Sequence, residues 1–489
     1  MKIVLQEHEF VPSAPALFHN DGRMRSCAKH ELKKLLKVEV ASRSLSPPML
    51  QIVDGCALLR KVTWENNDLV RSFLHRFAKN IYHKLSCNDV SLIFDRYYDY
   101  SIKSPTREKR IKEGSAKQFQ LTLDFHLPSK DVILNNTFNK KKLICLLVTY
   151  LVQYFSEVCP MKHNLVITGE DQVPFQIVAG VVSRPEELRS GHEEADIIIA
   201  MHAIHFSKSG VSPISVLSED TDVLVLLMHY YHFENLCADI RMEHLEKSLK
   251  IISVQMSVQK NLNIINTILP AHALSGCDTV CSYSWIGKKT MFEKLNTKTV
   301  DICDIGNLAK ESSAISQGLK FIAQLYGADQ ESSPELLRYK KWKHSLLSTT
   351  SSASSILQRL PPTRASATEN ILRAHLQVAY WLAAKSTIPP EVDVEQFGWE
   401  KDELNKSLNP VTLPKDVSYV PETILNLAKC GCKSETPCKN SRCSCFKKQL
   451  KCSSLCLCDS LQCQNQTISS NGIEESDDES DGSEAVEEE

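Results

Sequence analysis

Three short apolar runs in this chain each stop at an acid: QIVD (51–54), VSLIFD (90–95) and PISVLSEDTD (213–222). Near-continuous apolar runs of this length are how buried parallel strands read in sequence, and in an open α/β sheet chemistry collects at their carboxyl ends. Between and after them lie helical stretches such as NDLVRSFLHRFAKNIYHKL (67–85), EADIIIAMHAIHF (194–206) and KKTMFEKL (288–295). Strands alternating with helices predict an α/β fold, a mostly parallel sheet with flanking helices.

Seven acids stand in such settings: Asp54, Asp95, Glu194, Asp196, Asp220, Asp222 and Asp278. Gathering so many carboxylates into one crevice costs several kcal/mol per uncompensated ion, or keeps some protonated, unless cations neutralise them. Hard oxygen ligands favour Mg²⁺ or Mn²⁺. Two such ions about 3.5–4 Å apart activate a water, hold a phosphodiester and stabilise the leaving oxygen, so phosphodiester hydrolysis is the leading chemistry. Singly, each acid has a plainer reading: an Asp after a strand is usually a turn or cap residue, and Glu193, Glu194 and Asp196 suit any first helical turn. His192 to Asp196 misses the H-E-x-x-H zinc-protease pattern at its fifth position. His202, His205 and His272 read as packed or surface histidines.

Charge points to the partner. Residues 473–489 hold ten acids and no Lys or Arg, so the rest of the chain sets 57 basic residues against 49 acids, +8 in all. A mildly basic body with an acidic tail suits nucleic acid, although a solvated surface explains it equally. Arg107, Lys109, Arg110 and Lys112 are open to the same two readings. The opening MKIVLQEHEF lacks a signal-peptide core, which predicts an intracellular protein and leaves the sequons at Asn135 and Asn465 unused. The run LICLLVTYLVQYF (143–155) is too short to span a membrane and reads as a buried helix, so no membrane partner is expected.

Along the chain, residues 1–50 read as a lead-in segment with a helix over 27–38, and 51–327 as the α/β domain. A Ser/Thr-rich stretch and a packing helix (360–384) fill 328–387, and a Pro- and charge-rich linker fills 388–427. A cysteine cluster occupies 428–465. The tail, 466–489, is expected to be disordered, with Ser476, Ser480 and Ser483 set among acids where an acidophilic kinase acts.

Read together, the motifs resemble the flap endonuclease branch of the PIN-like nuclease superfamily. IVDGCALLRK (52–61) resembles the family's first strand with its metal-binding Asp, and LIFDRYYDYSIKSPTREKR (92–110) its second strand and basic helix. HEEADIIIAMHA (192–203) resembles its Glu-x-Glu helix, with Asp in the second position. SEDTDVLVLLM (218–228) resembles its Asp-x-Asp element, and LSGCDTVCSYSWIGKKT (274–290) its Gly-x-Asp motif leading into a helix–turn–helix. The order of all five matches. The resemblance implies that Asp54, Asp95, Glu194 and Asp196 hold one metal, while Asp220, Asp222 and Asp278 help to hold a second. It also implies that Lys103 and Arg110, each one residue late, steer the scissile phosphate. Backbone N–H groups around Gly287, with Lys288 and Lys289, would cup another phosphate. The combined layout is similar to that of animal proteins for which a transposon origin is one explanation, and domesticated copies of such proteins often lose activity.

Cys430, Cys432, Cys438, Cys443, Cys445, Cys452, Cys456, Cys458 and Cys463 follow C-x-C-x5-C-x4-C-x-C-x6-C-x3-C-x-C-x4-C. An odd number of crowded cysteines in an intracellular chain fits metal thiolates better than disulfides. Nine thiolates complete three tetrahedral zinc sites if three sulfurs bridge. The spacing resembles half of a tesmin-type CXC domain, which implies DNA binding. Here Arg442 stands where that family often has a minor-groove Tyr, and Lys433, Lys439, Lys447 and Lys448 are available for phosphates. A zinc knot used for protein contacts is the alternative. The sequence as a whole therefore predicts a Mg²⁺- or Mn²⁺-dependent nuclease, DNA favoured, with a zinc module and a nuclear location inferred from that partner. Two rivals stay open: an inactive DNA-binding or chromatin factor, and a PIN-type ribonuclease.

Overall fold

A computed structural model describes residues 2–465 except 43–44, 110–116, 246–249, 298–299, 329–333, 346–352, 422–428, 434–436, 448–450, 453–455 and 459–461. The expectations for Arg110, Lys112 and Lys448, and for the tail with its three serines, lie outside the described residues. Contacts divide the chain into two units, Met1–Tyr419 and Val420–Glu489.

The first unit is built on a nine-stranded sheet: β1 (Glu39–Ala41), β2 (Leu50–Asp54), β3 (Asp89–Ile93), β4 (Leu165–Ile167), β5 (Phe175–Val178), β6 (Val181–Ser183), β7 (Ile214–Leu217), β8 (Ile240–Glu243) and β9 (Lys250–Ser253). The strand order is β1-β9-β8-β7-β2-β3-β4-β5-β6. The five central strands, β8-β7-β2-β3-β4, are parallel, while the outer pairings at both ends are antiparallel. The fold is thus α/β with the parallel sheet core that the apolar runs predict. From β2 the chain builds outward through β3 and β4, then crosses back to lay β7 on the other side of β2. That reversal makes a topological switch point, and the crevice beyond the carboxyl ends of β2, β3 and β7 is where such sheets place their sites.

Alternation along the strands divides the interior in two. Ile52, Ile93, Ile214 and Val216 face one core with the helices Ala195–Lys208 and Thr221–Phe233. Val53, Val90, Leu92 and Leu217 face the other, with Val70–Leu85 and Thr137–Gln153. The apolar run at 143–155 is mostly contained in that last helix, and among the described residues no helix is long and apolar enough to cross a membrane.

Residues read from sequence as a lead-in are woven into this unit. They supply β1, the edge strand on β9, and the helix Lys29–Leu36, whose Leu32 and Leu36 are fully buried. Glu9 is likewise fully buried, bonded to Arg338 at 3.1 Å and to the backbone N–H of Thr363 at 2.6 Å. The long helix Arg364–Leu382, capped by Thr363, is buried along most of its length because Ala367, Ile371, Ala374 and Val378 enter the first core.

Candidate metal centre

The carboxylates reach the crevice because strand ends and helix starts coincide there. Asp54 is the last residue of β2 and also caps the helix Gly55–Lys61, its Oδ1 accepting from the Ala57 N–H at 2.9 Å. This tight exit needs Gly55: a Cβ there would lie 2.5 Å from the Phe94 ring and 2.8 Å from the Ile93 carbonyl oxygen. Asp95, two residues past β3, accepts from the Ala195 N–H at 3.0 Å and so ties strand to helix. Glu194 is the cap residue of Ala195–Lys208, with Asp196 in its first turn. Asp220 caps Thr221–Phe233 by accepting from the Asp222 N–H at 2.9 Å, which places Asp222 in that helix's first turn. Asp278 follows Gly276, which holds φ +108° and would clash with Ser282 if it carried a Cβ.

All seven acids converge. Asp54, Asp95, Asp196, Asp220 and Asp278 line one cavity of about 260 Å³. Oxygens of Asp196, Asp220 and Asp222 lie within 4.8 Å of one another. Glu194 and Asp222 are buried, each held by a neighbour the motifs did not mark. Gln377 Nε2 donates to Glu194 Oε1 at 3.3 Å while Gln377 Oε1 accepts from Thr279 Oγ1 at 2.6 Å, and His272 Nε2 donates to Asp222 Oδ1 at 2.8 Å. The helix expected only to pack therefore braces the site twice, through Gln377 and through Trp381, whose ring stacks on His272 at 5.7 Å.

Basic groups are interspersed with the acids: Arg60, Lys103, Arg107 and Lys140 all line the cavity. Lys103 Nζ sits 3.2 Å from Glu194 and 3.7 Å from Asp196, and Lys140 Nζ sits 3.9 Å from Asp95. Arg107 pairs with Glu193 at 2.7 Å and lies over the Tyr97 ring. Lys29 enters from the N-terminal segment, at 2.8 Å from Asp278, 3.0 Å from Asp222 and 3.5 Å from Asp220. Lys29, Lys140, His272 and Gln377 carry no local signature, since each lies far in sequence from the acids it serves.

Crowding sets the protonation. Burial, reinforced by Asp95 and Asp220, pushes Asp54 up to about 6. Burial raises Glu194, and burial with charge repulsion raises Asp196 and Asp220. Asp95 goes the other way, to about 2, because Lys140, Lys103 and the Ala195 N–H outweigh its burial. Asp222 is lowered against its burial by Lys29 and His272, and Asp278 by Lys29. The set is divided, with some carboxylates held ionised by neighbouring cations and others resisting ionisation because they are buried, and a divalent cation would relieve the second group. The carboxylate oxygens present fit a hard divalent cation.

One expected phosphate contact is corrected. Lys288 is only 2 % exposed, and its ammonium donates to the His272 and Gly276 carbonyls and to Ser275 Oγ at 2.9 Å. All three protons are spent inside the fold, so Lys288 anchors the loop carrying Asp278 and offers nothing to a phosphate. Gly287 and Lys289 are exposed at the start of the helix Lys288–Thr297.

In the second unit, Cys430 lies 3.5 Å from Cys438 and 3.7 Å from Cys452 (sulfur to sulfur), with Cys443–Cys452 at 3.8 Å and Cys445–Cys456 at 3.6 Å. Thiolates at about 2.3 Å around one tetrahedral zinc stand about 3.8 Å apart, whereas a disulfide needs about 2.05 Å. Every one of the nine cysteines belongs to a four-sulfur group of metal-binding size, and Cys430 and Cys452 each belong to three. The Phe446 N–H and the Asn465 side-chain amide point at Cys443 and Cys452 at 3.4 Å, the outer bonds a metal thiolate uses. The cluster fits a zinc module. Arg442 is exposed beside it.

No protein-family model matches the chain, and no curated protein does. Among solved structures it is similar to a bacteriophage T5 D15 flap endonuclease in a pseudo-enzyme–product complex with DNA and metal ions, at 13 % identity over 69 % of this chain and 92 % of that one, with a TM-score of 0.33. The catalytic core of Rad2 with DNA gives 14 % identity, coverage of 59 % and 71 %, and a TM-score of 0.31. Human GEN1 with Holliday junction DNA gives 10 %, coverage of 71 % and 76 %, and 0.32. Likenesses at these TM-scores establish neither a shared fold nor a shared activity.

Proposed function

We propose that the first unit is a divalent-metal-dependent nuclease acting on DNA, and that the cysteine unit binds zinc and helps the chain reach its substrate inside the nucleus. The observation that carries this reading is the gathering of seven carboxylates from five separate segments at the sheet's switch point, with Arg60, Lys103, Arg107 and Lys140 lining the same cavity. A phosphodiester is a substrate that uses both, the acids through bound cations and the basic groups directly. Asp54, Asp95, Glu194 and Asp196 would hold one Mg²⁺ or Mn²⁺, and Asp220, Asp222 and Asp278 would help to hold a second. When bound, the ions supply a water nucleophile at neutral pH and stabilise the leaving oxygen. Lys103 and Lys140 would place positive charge against the non-bridging oxygens, and Arg107, fixed by Glu193 and Tyr97, lines the same cavity. Lys289 on the first unit, and Arg442, Lys433, Lys439 and Lys447 on the second, are exposed cations for backbone phosphates or a narrow minor groove.

The test is cleavage of labelled flap, single-stranded and duplex DNA, and of RNA, in Mg²⁺, Mn²⁺ or EDTA, beside the Asp220→Asn/Asp222→Asn double variant. Cleavage that needs both the metal and those carboxylates, stronger on DNA, is the expected result. A second reading is favoured by Lys29 and Lys103, whose ammonium groups already neutralise part of the acid cluster: a DNA-binding protein with a silent site. Binding without cleavage on every substrate would establish it.

A further inference from the structure

Lys29 stands on the carboxylates through which a second ion would be held, and it is built to stand there. Its helix, Lys29–Leu36, is anchored by Leu32 and Leu36 in the core, by Lys33 donating to the Glu219 carbonyl at 2.9 Å, and by Asn261 donating to the Leu36 carbonyl at 2.9 Å. The ammonium is thereby aimed at Asp220, Asp222 and Asp278 at once.

Both oxygens of Asp222 are taken: Oδ1 accepts from His272 and Oδ2 from Lys29. A carboxylate oxygen keeps a lone pair while it accepts one hydrogen bond, so the neutral His272 can stay, whereas the ammonium on Oδ2 is a cation that competes with a divalent ion there. His272 is fully buried, is stacked on Trp381 and has no room to swing. Lys29 hangs on a four-carbon stem, with its side chain one-fifth exposed. Lys29 is the group that yields.

We propose that Lys29 is a resident counter-ion of the nuclease site, holding the Asp220/Asp222/Asp278 side together without metal and exchanging with the second divalent ion. This rests on the metal-dependent reading above and adds to it that the two ions bind unequally, the second against an internal competitor. With all three carboxylates ionised, one ammonium leaves them two net negative charges, enough to draw a divalent cation and to make the exchange reversible.

The zinc-loaded full-length protein, without nucleic acid, is titrated with Mn²⁺ by calorimetry and by the EPR signal of free Mn²⁺. Lys29→Met should tighten the weaker Mn²⁺ site by about tenfold or more, the size of a typical coupling between competing ligands. Lys29→Arg, which grips carboxylates bidentately, should weaken it further. Lys34→Met, on the same helix but exposed and paired with Glu31 at 2.8 Å, should leave it unchanged. Without added Mn²⁺ the zinc-loaded Lys29→Met protein should melt below wild type, and Mn²⁺ should raise its melting temperature more. If Lys29→Met folds only with Mn²⁺ present, the ion has replaced the lysine, as expected. Equal Mn²⁺ binding in wild type, Lys29→Met and Lys29→Arg overturns the exchange alone. No Mn²⁺ binding in any of them overturns the metal-dependent reading, and the exchange with it.

Discussion

His272 Nε2 donates to Asp222 Oδ1 at 2.8 Å inside the core, with the imidazole stacked on Trp381. Burial lowers His272 to about 4, so at neutral pH the ring is uncharged, Nε2 carries the proton and Nδ1 is left without a partner. A neutral donor orients the carboxylate without cancelling its charge, which is how outer partners serve metal ligands. His272→Phe keeps the stacked ring and removes the bond. It should fold and lose about 10- to 100-fold in Mn²⁺ affinity or cleavage, as outer-partner changes do. Unchanged Mn²⁺ titration and turnover would show the bond to be only packing.

Asp54 gives a pH-dependent prediction. Its carboxyl titrates at about 6 in the metal-free fold against an ordinary 3.8. A raised folded value contributes stability fully present below 3.8 and lost as pH rises through about 6. Asp54→Asn keeps a capping oxygen for Ala57 and cannot ionise. In EDTA, urea denaturation should therefore show the variant gaining on wild type between pH 4 and pH 8, by at most about 3 kcal/mol. The buried histidines oppose this trend equally in both proteins and cancel in the difference. A gain independent of pH would contradict the assigned shift.

Gly55→Ala places a methyl group against Phe94 and the Ile93 carbonyl. Overpacking at that point should cost about 1–3 kcal/mol, read as a lower urea midpoint with an unchanged slope. Because the helix start carrying Asp54 must shift, cleavage should fall at temperatures where the variant is still folded.

Lys288 and Lys289 are adjacent and should behave oppositely. Lys288→Met leaves two carbonyls and a hydroxyl without their buried donor and should destabilise by several kcal/mol. Lys289→Ala should leave the melting temperature unchanged and weaken DNA binding, with a shallower salt dependence. Fluorescence anisotropy at two salt concentrations separates them.

In the zinc unit, Cys430 belongs to three four-sulfur groups and Cys432 to one. A bridging thiolate serves more than one ion, so Cys430→Ser should lower the zinc content per chain more than Cys432→Ser. Elemental analysis of purified protein reads this directly, and equal losses would exclude the bridging role of Cys430.

What was legible in the sequence was local. Apolar runs ending in acids marked β2, β3 and β7, because a parallel strand must be apolar throughout and its carboxyl end is where polarity can return. The positions of Asp54, Asp220 and Asp222 relative to their helices follow from short-range rules of capping. The cysteine spacing marked a cluster of sulfurs close enough to share ions, since short chain reach brings them together. Tertiary structure decided the rest. Only the reversal of strand order brings Asp54, Asp95 and Asp220 to one crevice. Only packing sends Lys29 and Gln377, from opposite ends of the first unit's sequence, to carboxylates on the two sides of the site. Lys288 looked like a phosphate ligand because its neighbours are glycine and lysine, yet three acceptors from residues 272–276 claimed it. Charge compensation is a property of space, and a window sliding along a sequence has no access to the groups that supply it.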